Sequence, residues 1–281
     1  MLTKTGAPSK EPLNSSPASG EARSGRAGAV GVTVEIRGLS HSFGELRVLE
    51  ALELSIPAGG VVSLVGPSGC GKSTLLEIVA GLRGPGTGTV AVGEVESSEG
   101  RLARCALMPQ RDLLLPWLPA IDNAALALRL AGRSRDQARR GAGPAFERLG
   151  LGGFERARPS ELSGGMRQRV AFLRTLIAGR PVLLLDEPFA SLDAITRAEM
   201  QAWLARVLAE DAHTVLLVTH DVEEALYLSD RVMVMTPRPG GIAGELEVPG
   251  PRAPDRAAAV TSPEFVAMRE RALRVLAGDG G

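Results

Sequence analysis

The sequence has few cysteines, almost no lysine and no long apolar run. Its two cysteines, Cys70 and Cys105, are too few for a disulfide framework, which fits a reducing cytosolic compartment. The sequence contains no stretch of about 18 apolar residues, so no transmembrane helix is predicted. It also contains no apolar N-terminal segment, so no secretory signal is predicted. Basic and acidic residues balance at 32 each, which argues against a basic nucleic-acid surface over the whole chain.

The first 30 residues of the 281 differ in composition from the rest. Seventeen of them are Gly, Ala, Ser or Pro, so we expect residues 1–30 to be a disordered tail. The remaining residues, 31–281, are enough for one large α/β domain. A hydrophobic content of 44% rules out disorder as the main description of the chain.

Short apolar runs alternate with helical patterns from residue 61 to residue 235. This alternation predicts an α/β fold with a mainly parallel sheet. Before it, two segments alternate apolar and polar residues, as half-buried strands do. The predicted strands are Val32–Arg37, Ala51–Ile56, Val61–Val65, Thr89–Val95, Arg104–Met108, Val182–Leu185, Thr214–Val218 and Arg231–Met235, and a helix is predicted over Ser73–Leu82.

The alternation is interrupted by a helical segment, at about residues 115–178. There we expect Asp122 to cap a helix that runs to Leu130, and Ser134 with Gln137 to form a capping box. Gly141–Pro144 should interrupt the following helix. The simplest interpretation is a helical insertion between two halves of the parallel sheet. A C-terminal strand and helix are expected at about residues 240–278.

One glycine-rich segment predicts a phosphate site. It matches G-x-x-x-x-G-K-[ST], follows a predicted buried strand and opens a helix, so that its backbone N–H groups and the helix dipole face an anion. Lys72 would reach the β- and γ-phosphates, and the Ser73 hydroxyl would bind Mg²⁺. Lys72 is also the only lysine after residue 10, among 29 arginines. The predicted site residues are Gly66, Pro67, Ser68, Gly69, Cys70, Gly71, Lys72, Ser73 and Thr74.

Two further expectations concern this loop and the strand Val182–Leu185. Cys70 lies at a helix N-terminus, which favours a lowered thiol pKa and a reactive sulfur, whereas Cys105 should react slowly. Asp186 and Glu187 end the strand, where an open α/β sheet binds ligands. Asp186 would hold Mg²⁺ and Glu187 would polarise an attacking water, although an acidic pair alone often only ends a strand.

A second anion site is indicated by Leu162–Arg169, which reads LSGGMRQR. Ser163 is a good N-cap, and Gly164 and Gly165 expose backbone N–H groups in the first helical turn. An ordinary capping turn is the alternative when the segment is judged alone.

Taken in order, these motifs resemble the ATP-binding subunit of ABC transporters over about residues 32–235. The resemblance implies a P-loop NTPase core with an N-terminal antiparallel β subdomain and an inserted α-helical subdomain. It implies a homodimer in which two copies enclose two ATP molecules, with Mg²⁺ as the metal. Ser163, Gly164 and Gly165 of one copy would then contact the γ-phosphate held by Lys72 of the other.

The same resemblance suggests roles for four more residues. Gln110 falls on the loop that senses Mg²⁺ and the attacking water, and Asp193 on the loop that crosses between the copies. His220 falls on the position that contacts the γ-phosphate, although a single His after a strand is more often structural. Phe43 falls where a ring stacks on adenine, although a lone Phe near a turn is usually part of a core.

A subfamily is suggested by Leu113–Trp117, which reads LLLPW. It is similar to the ATPases of importers for nitrate, sulfonates, taurine and thiamine precursors. The resemblance implies separate permease subunits, a periplasmic or lipid-anchored solute-binding protein, and a peripheral place on the cytoplasmic side of the membrane. Trp117 is either packed in the helical insertion or part of a partner surface.

Two other function classes are weighed against the importer. A soluble ABC ATPase that acts on nucleic acid or ribosomes would be expected to show a coiled coil, two fused nucleotide domains or a basic face. A P-loop kinase or GTPase has no need of Leu162–Arg169. We therefore expect no nucleic-acid partner.

Overall fold

The protein chain is described by a computed structural model over residues 31–210, 212–249 and 255–277. The expected tail, residues 1–30, lies outside the described residues. The described part contains two β-sheets that meet at the phosphate loop. The smaller sheet has strand order β2-β1-β4, and the larger has the order β5-β6-β7-β3-β8-β9.

The smaller sheet is antiparallel throughout, as the resemblance implied. Its central strand pairs antiparallel with both neighbours. The inner face buries alternate apolar side chains, including Val34, Ile36 and Leu39, against the rest of the molecule. The strands are β1 (Val34–Phe43), β2 (Leu46–Ile56) and β4 (Thr87–Val92).

The larger sheet confirms the predicted mainly parallel architecture. Five neighbouring strands are parallel, and only the edge strand β9 runs antiparallel to β8. Both faces are covered, because successive residues such as Leu183 and Leu184 belong to two different apolar clusters. The strands are β3 (Val61–Val65), β5 (Cys105–Met108), β6 (Val182–Asp186), β7 (Thr214–Thr219), β8 (Arg231–Met235) and β9 (Ile242–Glu247).

Ten α-helices and one short 3-10 helix occur within the described residues. None of the helices in this part of the chain is both long and apolar enough to cross a membrane. The helices are α1 (Lys72–Val79), α2 (Ser98–Arg104), α3 (Ala120–Ala124), α4 (Leu126–Leu130), α5 (Arg135–Arg148), the 3-10 helix (Pro159–Glu161), α6 (Gly164–Ile177), α7 (Ala194–Glu210), α8 (Val222–Leu228), α9 (Arg256–Val260) and α10 (Pro263–Ala277).

Helices α3 to α6 form the predicted helical insertion between β5 and β6. The predicted capping box is present at the start of α5, where the Ser134 hydroxyl accepts from the Gln137 N–H. The predicted break at Gly141–Pro144 is wrong, because α5 continues through Pro144. The buried side of this helix, with Ala142 and Phe146 fully enclosed, holds it together despite the hydrogen bond that proline removes.

The predicted capping role of Asp122 is also wrong. Pro119 occupies the N-cap of α3, and Asp122 lies inside that helix with its side chain buried. Arg139 donates to it at 2.6 and 2.8 Å, and Arg135 donates as well. Burial opposes ionisation, but these hydrogen bonds outweigh it and lower the pKa of Asp122 to about 2. The carboxylate therefore joins α3 to α5 rather than starting a helix.

Candidate active site

The phosphate loop connects β3 to α1 in a conformation that requires glycine. Gly69 and Gly71 have φ values of 78° and 108°, which side chains rarely tolerate. A Cβ on Gly71 would lie 2.7 Å from the Leu49 side chain and 3.2 Å from the Val48 carbonyl oxygen. The loop thus packs against β2, and its backbone N–H groups lead into the N-terminus of α1.

Lys72 is held over the loop by backbone oxygens. Its Nζ donates to the carbonyl oxygen of Gly66 at 2.8 Å and to that of Pro67 at 3.0 Å, and the residue is 6% exposed. A cavity of about 380 Å³ lies beside it and is large enough for a small-molecule ligand. The lining residues are Phe43, Leu46, Val48, Ser68, Gly69, Gly71, Lys72, Ser73, Thr74, Gln110, Glu187 and Arg238.

Three predicted catalytic side chains meet at the carboxyl ends of adjacent strands. Gln110 Nε2 donates to Glu187 Oε2 at 3.0 Å, and His220 Nδ1 lies 3.2 Å from the same oxygen. The Glu187 backbone N–H donates to the Val218 carbonyl oxygen at 2.8 Å, which ties this turn to β7. Glu187 has a φ of 46°, an uncommon value for a residue with a side chain. One carboxylate oxygen is thereby fixed between an amide and an imidazole.

Asp186 lies behind this cluster, beside the phosphate loop. Burial raises its pKa, while a hydrogen bond from Ser73 and the charge of Lys72 act in the opposite direction. Ser73, Asp186 and Gln110 offer hydroxyl, carboxylate and amide oxygens, which is a donor set that suits Mg²⁺ shared with a phosphate. The described residues contain no group of three or more His, Cys, Asp or Glu side chains that could hold a metal ion.

Phe43 also lines this cavity. Its side chain is 43% exposed, so it is not part of a core. The His41 ring meets it edge-on at 5.0 Å, and the Arg83 guanidinium lies 4.6 Å from its centroid. The ring is thus partly exposed beside the cavity, with the Arg83 guanidinium over it.

The segment predicted to form a second anion site has a capped helix start, but it does not line this cavity. The Ser163 hydroxyl accepts from the Met166 N–H at 3.2 Å, and Gly164 and Gly165 form the first turn of α6. Asp193 Oδ1 accepts from the N–H groups of Ile195 and Thr196, and these hydrogen bonds lower its pKa. The candidate residues therefore form two separate groups within one chain.

Gln168 connects these two groups, and sequence reasoning gave it no role. It is buried in α6 and donates to the Pro188 carbonyl oxygen at 2.7 Å. Its side-chain oxygen lies 3.4 Å from the Ser191 hydroxyl. The segment that follows Glu187 is thus fastened to the helix that begins at Ser163. The only feature of the sequence that could have indicated this role is a polar residue on the inner face of α6.

Arg238 is a second residue that sequence reasoning missed. It lines the cavity beside Lys72, and its Nε donates to the Gly69 carbonyl oxygen at 3.1 Å. The next turn is fastened to β2, which packs against the loop, because the Gly240 N–H donates to the Val48 carbonyl oxygen. The motif Pro237-Arg238-Pro239-Gly240 is present in the sequence. It lies far along the chain from Gly69, so the sequence could not predict the contact between them.

The expectation for Cys70 is wrong. Cys70 is 1% exposed, and burial raises the pKa of its thiol although Lys72 acts to lower it. Burial likewise raises the pKa of Cys105 to about 12. Desolvation therefore outweighs the helix N-terminus at Cys70, and neither thiol has the environment of a reactive cysteine.

Comparison with known proteins gives a consistent result. The ABC transporter family model matches residues 49–190. An aliphatic sulfonates import ATP-binding protein of Rhodococcus jostii is 48% identical over 79% of this chain and 85% of its own length. A taurine import ATP-binding protein of Chromobacterium violaceum is 44% identical over 80% of this chain and 87% of its own. A formylaminopyrimidine import ATP-binding protein of Halalkalibacterium halodurans is 43% identical over 72% of this chain and 78% of its own.

The fold is similar to solved structures of ATP-binding cassettes. One is a dimeric cassette in a post-hydrolysis state bound to ADP and Pi. It superposes with a TM-score of 0.70 and 29% identity, over 77% of this chain and 99% of the other. The likeness covers the P-loop core and supports the predicted fold class.

Proposed function

The chain belongs to the ABC transporter ATP-binding family, and we propose that it is the ATP-hydrolysing subunit of an importer for a small organic or inorganic anion. The relatives are named for the import of sulfonates, taurine and a formylaminopyrimidine, which supports the importer reading. They do not favour a soluble ATPase for nucleic acid or ribosomes, and we propose no nucleic-acid partner.

The observation that carries the catalytic part of the proposal is the geometry at Glu187. Gln110 and His220 hold one carboxylate oxygen at hydrogen-bond distance, next to the cavity that contains Lys72. A carboxylate held in this way can orient an attacking water and accept its proton, as general-base catalysis requires. His220 would contact the γ-phosphate, and Gln110 would contact the metal and the attacking water.

Nucleotide and metal are bound by the phosphate loop and Asp186. Phe43 stacks on adenine, residues 66–74 surround the phosphates, and Lys72 moves from the Gly66 carbonyl oxygen to the β- and γ-phosphates. Ser73, Gln110 and Asp186 would hold Mg²⁺, directly or through water. When bound, the ion supplies charge neutralisation for phosphoryl transfer.

A second copy of the chain completes the site. Within one chain, the cavity beside Lys72 is not lined by Ser163, Gly164 or Gly165. The capped helix start that these residues form is nevertheless suited to binding an anion. A head-to-tail pair places them on the γ-phosphate of the partner, with Asp193 at the crossing between copies. Dimeric cassettes among the similar structures support this arrangement.

The permease contact is proposed at Leu113 and Trp117. Both side chains project from the protein, with 58% and 67% exposure. The loop that carries them is held firmly, since Arg174 donates to the Leu113 carbonyl oxygen at 2.9 Å and Asn123 exchanges hydrogen bonds with Leu115. An exposed aromatic on a rigid loop is a typical interface anchor. A solute-binding protein, periplasmic or lipid-anchored, would act through that permease, with this chain peripheral on the cytoplasmic face.

Substitution of Glu187 tests the catalytic assignment and the dimer together. Glu187→Gln keeps the size and hydrogen bonding of the side chain but removes its basic charge. Binding of Mg·ATP should persist while hydrolysis falls by about 10²–10⁴-fold. The variant should elute as a dimer on size exclusion with Mg·ATP and as a monomer without it.

Asp186→Asn is the matched control, because it removes a Mg²⁺ ligand and should give no ATP-dependent dimer. Wild-type hydrolysis by Glu187→Gln would refute the catalytic role. A variant that stalls but stays monomeric at saturating ATP, with and without purified permease, would refute the two-copy site instead.

A further inference from the structure

A second cavity in the described part of the chain lies apart from the phosphate loop. It has a volume of about 490 Å³ and shares no lining residue with the cavity beside Lys72. Its walls come from α5, α6 and α7, so it lies between the helical insertion and the core. This volume is in the range of small-molecule sites.

Two exposed guanidinium groups lie on the lining of this cavity, and one of them, that of Arg206, also acts electrostatically on Tyr227. Arg148 on α5 and Arg206 on α7 both line it, and neither has a hydrogen bond or ion pair within residues 31–210, 212–249 and 255–277. Glu210 and His213 are the other titratable residues on the same lining. Nearby, Arg169 is paired with Glu199 at 3.6 Å. An arginine on this surface can therefore have a carboxylate partner, and Arg148 and Arg206 differ from it in this respect.

The inner wall of the cavity is apolar. Leu173, Leu176 and Ile177 from α6 face Val207 and Trp203 from α7. Trp203 also packs edge-on against Phe172 with 5.3 Å between ring centroids, so its position is fixed by the core. A hollow of about 230 Å³ adjoins this one and shares Arg148, Trp203 and Arg206 with it.

We propose that this cavity is a binding site for an amphipathic organic anion, whose oxyanion head lies between Arg148 and Arg206 and whose hydrocarbon part lies against Trp203 and the α6 leucines. Guanidinium groups bind sulfonate and carboxylate oxygens through paired, charge-assisted hydrogen bonds. The apolar wall removes the attached chain from water. Two of the three helices that wall the site, α6 and α7, begin at the Ser163–Gly165 segment and next to Asp193, so a bound anion would contact both elements that are proposed to meet the partner copy.

Intrinsic fluorescence can measure this binding, because the chain has only two tryptophans. Trp117→Phe leaves Trp203 as the single reporter. Octane-1-sulfonate should change its emission saturably, while octan-1-ol and sodium sulfate at equal concentration should not. Octanoate tests whether the site accepts a fatty-acid carboxylate, and butane-1-sulfonate whether it accepts a short organosulfonate. Binding of either octyl anion, and of neither control, is the expected result.

Variants locate the site. Arg148→Ala with Arg206→Ala should weaken octane-1-sulfonate binding at least tenfold, and Val207→Phe should do the same by filling the apolar wall. Arg140→Ala, an exposed arginine elsewhere on α5, and Lys72→Ala, which disables the phosphate loop, should bind as before. Circular dichroism confirms the fold of each variant. Equal affinity in the double variant, equal binding of octan-1-ol, or no saturable change would each overturn the proposal.

Discussion

At the scale of single residues, the site depends on how tightly Glu187 is positioned. Its backbone is fastened to Val218 and its carboxylate to Gln110 and His220. These contacts come from the chain itself and hold the carboxylate in one orientation. Preorganised groups of this kind contribute most to catalysis because no free energy is spent on orienting them during the reaction.

Arg238 leads to a prediction at the same scale. Arg238→Ala should raise the KM for ATP about tenfold, since charge-assisted hydrogen bonds are worth about 1.5–3 kcal/mol. The change removes a cation from the cavity and a donor from the Gly69 carbonyl oxygen. The kcat should change little, because neither contact involves Glu187.

Steady-state kinetics separate these two parameters. Arg238→Lys keeps the charge but not the planar donor, and we expect a KM between those of the wild type and the alanine variant. A fall in kcat at unchanged KM would contradict the assignment of Arg238 to nucleotide binding.

At the scale of elements, one buried carboxyl group connects the C-terminal helices. Glu224 on α8 is 3% exposed and accepts from Gln201 Nε2 on α7 at 3.2 Å. Arg256 on α9 donates to the Gln201 oxygen at 2.6 Å, so three helices meet at this chain of polar contacts. Burial raises the pKa of Glu224 from about 4.5 to about 8.

This shift predicts how stability depends on pH. The folded state holds the Glu224 proton more tightly than the unfolded state. Its contribution to stability is complete below pH 4.5 and is lost as pH rises toward 8, by at most about 1.4 kcal/mol per pH unit. Glu224→Gln removes this loss. Relative to wild type, the free energy of unfolding of the variant should rise between pH 5 and pH 8 and level off above that range.

Urea unfolding at several pH values, followed by circular dichroism, measures this difference. The neighbouring charges of Asp221 and Arg197 are the same in both proteins, so they cancel in the comparison. Glu264→Gln, on the exposed side of α10, is the control and should run parallel to wild type. A Glu224→Gln curve that is also parallel to wild type would contradict the raised pKa.

At the scale of the whole molecule, the sequence predicted the architecture better than the contacts across it. The buried strands β3, β6 and β8 are short apolar runs with clear ends, so local patterns predict them. The spacing of glycines, lysine and serine in the phosphate loop is specific to that type of loop. Arg238 and Gln168 were missed because their partners lie far along the chain, where local patterns carry no information. Pro144 was misjudged because local propensity predicts a break, while tertiary packing of α5 overrides it.

Trp117 tests assembly beyond the single chain. The sequence left open whether it is packed or exposed, and the structure exposes it. Trp117→Ala should weaken co-purification with the permease by about tenfold or more, as removal of an aromatic anchor does at interfaces. ATP binding by the isolated subunit should stay near wild type. Leu273→Ala, an exposed residue of α10, is the control. Unchanged permease binding and transport would show that Trp117 has no part in the interface.

The helical insertion leaves the core after β5 and returns at β6, and these two strands are neighbours in the sheet. A segment that leaves the sheet and rejoins it must be closed at a cost in conformational entropy. This cost increases only with the logarithm of the segment length, by roughly 0.6 kcal/mol for each doubling. Gln110 follows β5 and Glu187 follows β6, and the two side chains are joined by a hydrogen bond. A longer or shorter exposed turn within the insertion, such as the one at Gly132 between α4 and α5, could therefore be accommodated at small thermodynamic cost, which makes such turns the places to exchange segments with related chains.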